Sequence, residues 1–318
     1  MKFLLKLALG AVAISAVVYG ALWYFAGGFL LNYLHGDKTW PEMRTGDIRL
    51  SRSMHLALQD RVPVVHAGAY TWRNLRPGFD IAELPVISKR GEVDRIDLVR
   101  IDPKLYAFSV HNQPALKWTI DDWQRALPKA AVIVNGSFFG PDRKPDTPFI
   151  SNSQNLGPQT YDAKAGVFVA GAEGARIVDL TAGGAWQDAV KGADTAMVAY
   201  PLLIGPDSQS HVTVKSRWLA NRTFVAQDAA GRIVIGSTRE AFFSLEREAD
   251  FLRAAMPDLV LALNLDGGPV ACQSVRVGGV HRLHIARWEA QVRGDKVNLL
   301  NLPVGESDMP IVLAVTPK

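Results

Sequence analysis

Two apolar stretches of this sequence end in short polar turns rich in Asn, Asp and Gly. One is Val-Ile-Val followed by Asn-Gly-Ser-Phe-Phe at residues 135–139, and the other is Leu-Ala-Leu followed by Asn-Leu-Asp-Gly-Gly at residues 264–268. Apolar strands that finish in this way place side-chain acceptors and uncovered backbone amides at a sheet edge, where a ligand can approach. Asn-Gly and Asp-Gly are also common turn dipeptides. The pattern therefore indicates either two parts of a polar site or two ordinary turns.

A third polar segment, residues 216–223, carries two arginines near the start of a predicted strand. These are Arg217 and Arg222. An arginine in such a position can donate a forked pair of hydrogen bonds to a phosphate or a carboxylate. Surface arginines usually have no specific ligand, so the segment is either an anion site or an ordinary charged surface.

In this order, the polar segments resemble those of the phosphodiester glycosidase family, in particular its bacterial exported branch. Residues 135–139 are similar to an Asn-Gly-Gly-Phe-Phe-like turn of the family. Residues 201–205, Pro-Leu-Leu-Ile-Gly, are similar to its Pro-Leu-Leu strand and glycine turn, and residues 221–223, Asn-Arg-Thr, to its Arg-Thr strand. The family's Asn-Leu-Asp-Gly-Gly is present without change at residues 264–268. The resemblance covers about residues 65–318.

Three features depart from the family pattern. Ser137 replaces a usual glycine in the first turn, and Val270 stands where the family often has a serine. The stretch 149–161 is rich in Ser, Asn and Gln, whereas relatives usually have a glycine-rich substrate loop there. These departures bear on the identity of the substrate and on whether turnover is retained.

The resemblance implies a glycoside hydrolase that cleaves the bond between a sugar and a phosphodiester. The leaving group is a phosphate with a second pKa of about 6, so the site needs anion stabilisation and a carboxylate more than a strong general acid. The expected catalytic residues are Asp266, Arg222 and Asn135. The expected substrate-binding residues are Gly136, Phe139, Thr223, Asn264, Gly267 and Gly268, the last two through their backbone amides.

The role of Asp266 stays open between general base, nucleophile and supporting ligand of a metal. A partner acid is expected among Asp142, Asp146 and Asp162, which follow the first polar turn. No cofactor is expected, and the pattern does not identify metal ligands. The expected partners are an anionic carbohydrate substrate and a membrane.

Other residues that could do chemistry have simpler explanations. The single cysteine, Cys272, has no basic neighbour in sequence and is expected to be a small buried side chain. His281 and His284 lie three apart on a predicted strand, where they would face opposite sides, so a shared metal site is disfavoured. The sequence contains no GxSxG, Walker or HExxH motif, which leaves serine lipases, nucleotide triphosphatases and zincins without support.

Composition excludes several classes of protein. A chain of 318 residues that is 48% hydrophobic and 21% charged can build a large core, and it is neither a disordered protein nor a disulfide scaffold. Its net charge is +4, and residues 37–318 carry 33 basic and 31 acidic side chains. A balance this even does not indicate a nucleic-acid partner.

The N-terminal region predicts a membrane anchor. No charged residue occurs between Leu7 and Leu34, a run longer than the ~20 residues that cross a bilayer core. Lys2 and Lys6 precede it, so the positive-inside rule keeps the N-terminus in the cytoplasm and exports the rest. We therefore expect a single-pass protein of the cell inner membrane with its C-terminal domain on the periplasmic or extracellular side. A cleaved signal peptide is disfavoured because aromatic residues occupy the place of a cleavage site.

The remaining chain predicts many short strands and two soluble helices, which favours an α+β fold with mixed, largely antiparallel sheets. We expect a transmembrane helix over residues 1–36, a stalk or linker over 37–61 and a phosphodiester glycosidase-like domain over 62–318. Within that domain, alternation predicts a hairpin or adjacent strands at 95–112 and a hairpin at 223–238. Residues 196–205 predict one long apolar strand. The helices are predicted at about 119–130 and 239–256.

Two functions are compatible with these features. The first is a membrane-anchored hydrolase acting on a sugar-1-phosphodiester in envelope or polysaccharide metabolism. The second is a noncatalytic carbohydrate-binding or envelope-assembly module that keeps the fold.

Overall fold

The computed structural model describes residues 2–25, 42–48, 50–59, 61–161, 165–213, 217–301 and 307–318. These form largely antiparallel sheets with a few packed helices, which confirms the predicted α+β class. The helices are α1 (Lys2–Phe25), α2 (Arg52–Ala57), α3 (Ile120–Ala126), α4 (Trp186–Ala189) and α5 (Leu245–Ala255), with a short 3-10 helix at Gly268–Val270.

The strands are β1 (Glu42–Arg44), β2 (Val65–Ala67), β3 (Arg73–Arg76), β4 (Phe79–Ser88), β5 (Gly91–Ile101), β6 (Tyr106–Asn112), β7 (Val132–Asn135), β8 (Phe149–Ser151), β9 (Gln154–Asn155), β10 (Gly166–Gly171), β11 (Gly174–Asp179), β12 (Thr195–Ala199), β13 (Leu202–Ile204), β14 (Trp218–Ala220), β15 (Thr223–Asp228), β16 (Ile233–Thr238), β17 (Leu259–Asn264), β18 (Gln273–Val277), β19 (Val280–His284), β20 (Trp288–Arg293), β21 (Lys296–Asn301) and β22 (Ile311–Pro317).

The strands form four sheets. An eight-stranded sheet has the order β13-β17-β15-β16-β5-β4-β2, with β3 paired to β4. A five-stranded sheet has the order β19-β18-β7-β22-β6, and another has the order β11-β10-β12-β8-β9. The fourth sheet has four strands in the order β1-β21-β20-β14.

The core that lies between the sheets explains why the strands near the site are so apolar. One buried cluster joins Val225 and Leu263 of the eight-stranded sheet to Val134 and Leu313 of the β7 sheet and to Phe168 of β10. Because β7 and β17 belong to different sheets that share this core, their polar ends are brought to the same region of the molecule. The burial of these side chains fixes the position of both ends.

The two helices predicted for the soluble part are present as α3 and α5, beside the short helices α2 and α4. Thr119 and Asp122 form a capping box at the start of α3, and α3 ends at Ala126, two residues before Pro128. Helix α5 begins at Leu245, later than predicted, because the Ser244 side chain accepts the amide of Arg247 and caps the first turn.

Two predictions about strand pairing were wrong. The strands within 95–112 do not form a hairpin, because β5 pairs with β4 and β16 whereas β6 pairs with β22 in another sheet. Both strands are largely buried, and each pairs with the strands of its own sheet. The stretch 196–205 is not one strand either, because Pro201 has no amide hydrogen to continue the ladder. It follows a cis peptide bond, and β12 and β13 lie in different sheets.

The predicted hairpin at 223–238 is confirmed as β15 and β16. Asp228 stabilises its turn, since Oδ1 accepts the backbone amides of Ala230 and Arg232 at 3.0 and 2.9 Å. The turn holds β15 in register, and the predicted site residue Thr223 begins β15 directly after Arg222.

The N-terminal helix α1 contains a segment, Lys6–Tyr24, that is long and apolar enough to cross a membrane. It is not buried against the rest of the protein. The predicted apolar run extends to Leu34, and its residues after Phe25 lie outside the described ranges. Further along, Met43, Leu50 and Met54 are buried in the core with strands β4 and β5, within the segment expected to be a stalk. We propose that the folded domain begins near Glu42.

Candidate active site

The ends of β7 and β17 lie side by side and are joined by hydrogen bonds. The backbone amide of Asp266 donates to the carbonyl of Gly136 at 3.1 Å. The side-chain amide of Asn135 donates to the carbonyl of Asp266 at 2.7 Å. The two polar turns, 129 positions apart in sequence at their first residues, thus form a single corner.

The start of β15 is tied to the same corner. Thr223 donates its hydroxyl hydrogen to Oδ1 of Asn135 at 2.8 Å, and its carbonyl accepts the amide of Leu265 at 2.9 Å. Asn135 and Thr223 are buried, so both side chains exchange their hydrogen bonds inside the protein. Their arrangement positions the segment that carries Asp266.

A cavity of about 1110 Å³ opens beside this corner. Four residues predicted from the sequence lie in its wall: Arg222, Asn264, Asp266 and Gly267. The other five predicted residues, Asn135, Gly136, Phe139, Thr223 and Gly268, are not in the wall. The structure therefore brings the predicted carboxylate and guanidinium to one cavity and places the predicted amide directly behind the carboxylate.

Asp266 is the acidic group at the end of β17. Its Oδ1 accepts the backbone amide of Gly267 at 2.8 Å. Burial raises the pKa of Asp266 to about 7, and the nearby carboxyl of Glu289 adds to this effect. The Gly267 amide and the cation of Arg222 act in the opposite direction. Asp266 therefore changes charge near neutral pH.

A second carboxyl group, Glu289 of β20, lines the same cavity and was missed by the sequence reasoning. Its Oε1 accepts the indole N–H of Trp218 at 2.9 Å. Burial raises the pKa of Glu289, whereas the bond from Trp218 and the charge of Arg222 lower it. Its strand carries no motif, and only the pairing of Ala220 with Glu289 across β14 and β20 places it here.

Gly268 matters because of its contact with Glu289 rather than because of its amide. It has a φ of +72°, a conformation that favours glycine, and a Cβ at this position would collide with Oε2 of Glu289. Its backbone amide donates to the carbonyl of Asn221 at 2.9 Å. Because Gly267 donates to Asp266, both glycine amides predicted to bind the ligand are engaged within the protein.

Arg222 is the guanidinium of the site, and only 7% of its surface is exposed. Its Nη2 donates to the carbonyl of Trp218 at 2.6 Å and its Nε to the carbonyl of Phe243 at 3.4 Å. Burial lowers the pKa of Arg222, and three carboxyl groups oppose this effect, those of Glu248, Glu289 and Asp266. An arginine remains protonated under these conditions, so the cavity contains a fixed cation.

Aromatic side chains form the rest of the wall near the acids. The rings of Phe138 and Tyr200 lie 4.6 Å apart between centroids, and Trp218 is also in the wall. Asn264 donates from Nδ2 to the carbonyl of Tyr200 at 2.9 Å and so fixes that residue. The predicted aromatic, Phe139, packs against the core and pairs with Pro145. Its neighbour Phe138 also packs against the core and lines the cavity.

The other predicted glycine, Gly136, has a packing role. A Cβ at Gly136 would meet the Cγ2 atom of Ile311 at 2.5 Å. Its amide donates to the carbonyl of Ile311 at 3.0 Å, and its carbonyl accepts from Asp266. The glycine therefore permits the close approach of β7 and β22 that aligns the corner.

The three acids expected as partners of Asp266 have different environments. Asp146 is exposed but close enough to raise the pKa of Asp266. Asp142 is also exposed and lies 3.7 Å from the ammonium group of Lys144, measured from Oδ2 to Nζ. Asp162 lies outside the described residues. Neither Asp142 nor Asp146 is in the cavity wall, where Glu289 stands instead.

Other chemical candidates are placed as follows. Within the described ranges, no group of three or more His, Cys, Asp or Glu residues is arranged to hold a metal ion. His281 and His284 are on β19, as expected. Cys272 is fully buried, with its Sγ 3.5 Å from the carbonyl of Pro269.

Comparison with known proteins agrees with the family that the sequence motifs indicate. The family model for phosphodiester glycosidases matches residues 128–286, and the chain belongs to this family. The match includes Asn135, Arg222 and Asp266 and ends three residues before Glu289. Comparison with curated proteins found no significant match.

Two solved structures share the fold. One is the zebrafish N-acetylglucosamine-1-phosphodiester alpha-N-acetylglucosaminidase catalytic domain auto-inhibited by its pro-peptide, with a TM-score of 0.53 and 13% identity, over 90% of this chain and 91% of that one. The other is a hypothetical protein from Synechocystis, with a TM-score of 0.51 and 15% identity over 79% of this chain. This chain spans 64% of the length of the Synechocystis protein.

Proposed function

We propose that this protein hydrolyses the glycosidic bond of a sugar-1-phosphodiester, with a role in envelope or polysaccharide metabolism. The observation that carries the proposal is that Asp266, Glu289 and Arg222 line one cavity in a member of the phosphodiester glycosidase family. Two carboxyl groups and a cation in one partly water-excluded space are the groups that cleavage at an anomeric carbon with a phosphate leaving group requires.

Arg222 binds the phosphate in this mechanism. When the bond between the anomeric carbon and the phosphate oxygen breaks, that oxygen keeps the bonding electrons and the phosphate gains a negative charge. A phosphate monoester with a second pKa of about 6 leaves without a full proton transfer. The buried guanidinium stabilises the growing charge more strongly than an exposed one would, because solvent screens it less.

Asp266 activates the water. In its ionised form it removes a proton from the water that attacks the anomeric carbon, and the products are the free sugar and a phosphate monoester. With a pKa of about 7, Asp266 is a stronger base than an ordinary aspartate and is still ionised in about half of the molecules at neutral pH. Asn135 holds the backbone of Asp266 in place.

Glu289 is the second carboxyl group of the mechanism. As Asp266 takes up the proton of the attacking water, an ionised Glu289 stabilises positive charge on the sugar ring in the transition state. The carboxyl of Glu289 also raises the pKa of Asp266. The aromatic rings of Phe138, Tyr200 and Trp218 offer apolar faces to the sugar.

The N-terminal helix supports a membrane location. A helix of 24 residues with an apolar span anchors the protein in the cell inner membrane, and the two lysines before the span favour a cytoplasmic N-terminus. The hydrolase domain then lies on the periplasmic or extracellular side, where envelope saccharides are found.

The second candidate is a noncatalytic carbohydrate-binding or envelope-assembly module. Its basis in the sequence is the pair of departures from the family pattern at Ser137 and Val270. Both residues are buried and neither lies in the cavity wall, so the departures do not remove a group from the cavity. This supports the enzyme over the module.

Cleavage in ¹⁸O-labelled water tests the reaction type. The substrate is N-acetylglucosamine-1-phosphate esterified to a simple alcohol, and the protein is the full chain in a detergent without a sugar headgroup. A glycosidase places the label in the sugar, whereas a phosphodiesterase that attacks phosphorus places it in the phosphate. Label in the phosphate would contradict the proposal. Binding of the substrate with no release of either product would favour the noncatalytic module.

A further inference from the structure

Glu248 is a buried carboxyl group that the proposed mechanism does not use. It lies in the first turn of α5 and has no exposed surface. Neither of its carboxyl oxygens has a hydrogen-bond partner among the residues that the structure describes. A buried carboxyl without donors destabilises a fold, so its presence calls for a functional explanation.

The charged group that acts on Glu248 is Arg222. The guanidinium donates to the carbonyl of Phe243, the residue directly before the Ser244 cap of α5, so Arg222 reaches the end of the helix on which Glu248 lies. Among the carboxyl groups that act on Arg222, Glu248 has the largest influence, ahead of Glu289 and Asp266. No carboxylate of the described chain is within 4.0 Å of Arg222, so the interaction is through space in a water-poor interior.

Other charges around Glu248 are few. Helix α5 packs on β2 and β13, and the one titratable side chain on those strands, His66, is exposed. On α5 itself, Arg247 donates to the Ser244 hydroxyl and to the carbonyl of Phe242, and Arg217 and Glu246 act on its charge. Arg222 therefore dominates the electrostatic environment of Glu248, and Glu248 acts on Arg222 from outside the cavity wall.

We infer that Glu248 is the counter-charge of Arg222 and sets how strongly Arg222 attracts the substrate's phosphate. When Glu248 is ionised, it offsets part of the guanidinium charge and weakens anion binding. When Glu248 is protonated, Arg222 acts on the phosphate with its full charge. Burial raises the pKa of Glu248 to about 7, so this change falls near neutral pH. Glu248 is a positioning residue, since it touches neither substrate nor water in the cavity.

The inference deepens the proposed function, because it names what controls phosphate affinity at the proposed site. Sulfate is a suitable probe, since its charge is constant across the neutral range and its binding requires no turnover. Asp266 and Glu289 also titrate, so the measurement uses the full chain with Asp266→Asn and Glu289→Gln together, which makes both groups neutral. Asp179, Asp207 and His211 also line the cavity, so the effect of Glu248 is the difference between this background and the same background with Glu248 changed. Sulfate affinity is then measured by calorimetry at about pH 6 and about pH 8, on either side of the titration.

In this background, we expect sulfate to bind about fivefold to tenfold more weakly at the higher pH. Adding Glu248→Gln should remove that dependence and give the tighter affinity at both pH values. Glu248→Met, which also removes the charge, should behave like the glutamine variant, and thermal unfolding confirms that each variant is folded.

Two results would overturn the inference. One is a pH dependence of sulfate affinity that is the same with Glu248 present as in both Glu248 variants. The other is sulfate binding that is unchanged by Arg222→Gln, since the anion would then lie elsewhere. Because no catalysis is involved, a protein that shows the Glu248 effect but fails to hydrolyse sugar phosphodiesters would contradict only the proposed reaction.

Discussion

The side-chain amide of Asn135 donates to the backbone carbonyl of Asp266 across a distance of 2.7 Å. The contact joins the end of β7 to the end of β17, two strands of different sheets. Asn135, the first residue of the first polar turn, therefore holds the second polar turn in place and does not face the cavity. The orientation of the Asp266 carboxyl therefore depends on a buried amide that the cavity does not expose.

Replacing Asn135 by Ala should reduce kcat as well as stability. The carbonyl of Asp266 and the hydroxyl of Thr223 would lose their partner, at a cost of about 1–3 kcal/mol in unfolding free energy. The matched control is Asn112→Ala, since Asn112 Nδ2 also donates to two carbonyls, those of Arg143 and Pro310, but away from the cavity. Steady-state kinetics and urea unfolding should show a loss of stability in both variants and a loss of kcat in the Asn135 variant alone. An equal kcat in the two variants would contradict a positioning role.

Activity should rise with pH through neutrality. Burial raises the pKa of Asp266 to about 7, and the ionised form is the base, so its population grows above that value. The pH dependence of kcat/KM in the Glu248→Gln variant measures this directly, because the pH-dependent phosphate binding that Glu248 sets is absent there. A rate that falls as the pH rises from 6 to 8 by about tenfold would instead make Asp266 a general acid.

Removing the indole of Trp218, which donates to Glu289, should raise the pH at which Glu289 titrates. The bond from Trp218 lowers the pKa of Glu289, so Trp218→Phe should raise that pKa and move the corresponding limb of the pH profile to higher values. Glu289→Gln should lower kcat by about 10²-fold or more. If the activity of the Trp218 variant changes at the same pH as that of wild type, Glu289 does not control that part of the pH profile.

Gly268→Ala should impair catalysis through Glu289. A methyl group at Gly268 would collide with the Glu289 carboxyl, and alanine is also strained at a φ of +72°. Gly279→Ala is the matched control, because Gly279 has a φ of +79° but open space beside it. Both variants should lose about 1 kcal/mol of stability, whereas kcat should fall only in the Gly268 variant. Equal kcat values would argue that Glu289 tolerates displacement.

Glu248→Gln should stabilise the protein in a pH-dependent way. The folded-state pKa of about 7 lies above the unfolded value of about 4, so the carboxyl favours folding only in its protonated form. Its contribution is fully present below about pH 4 and is lost as the pH rises to about 7. Urea unfolding should therefore show that the unfolding free energy of the variant, relative to that of wild type, increases between about pH 5 and about pH 8 by on the order of 2–3 kcal/mol. A difference that is the same at both pH values would mean that Glu248 does not titrate.

The sequence was sufficient to identify the family and the local elements. The Asn-Leu-Asp-Gly-Gly turn predicted that Asp266 follows a buried strand, and the β15–β16 hairpin followed from its Asp-Ala-Ala-Gly turn. These features depend on residues that are close in sequence, so local patterns specify them.

Glu289 could not be predicted in the same way. It sits in an ordinary strand, 23 positions after Asp266, and reaches the cavity only because β20 pairs with β14. Similarly, Phe138 and Phe139 both pack against the core, but of the two only Phe138 lines the cavity. Side-chain direction at such a turn is decided by contacts between distant segments rather than by the motif.

The central claim is that Asp266, in the cavity with Arg222 and Glu289, hydrolyses a sugar-1-phosphodiester. The most direct measurement is the release of phosphate monoester by the full chain, comparing wild type with Asp266→Asn and with Asp142→Asn, which changes an exposed aspartate outside the cavity. We expect turnover by wild type and by the Asp142 variant and a loss of about 10²-fold or more in the Asp266 variant. Equal turnover by all three proteins would contradict the claim.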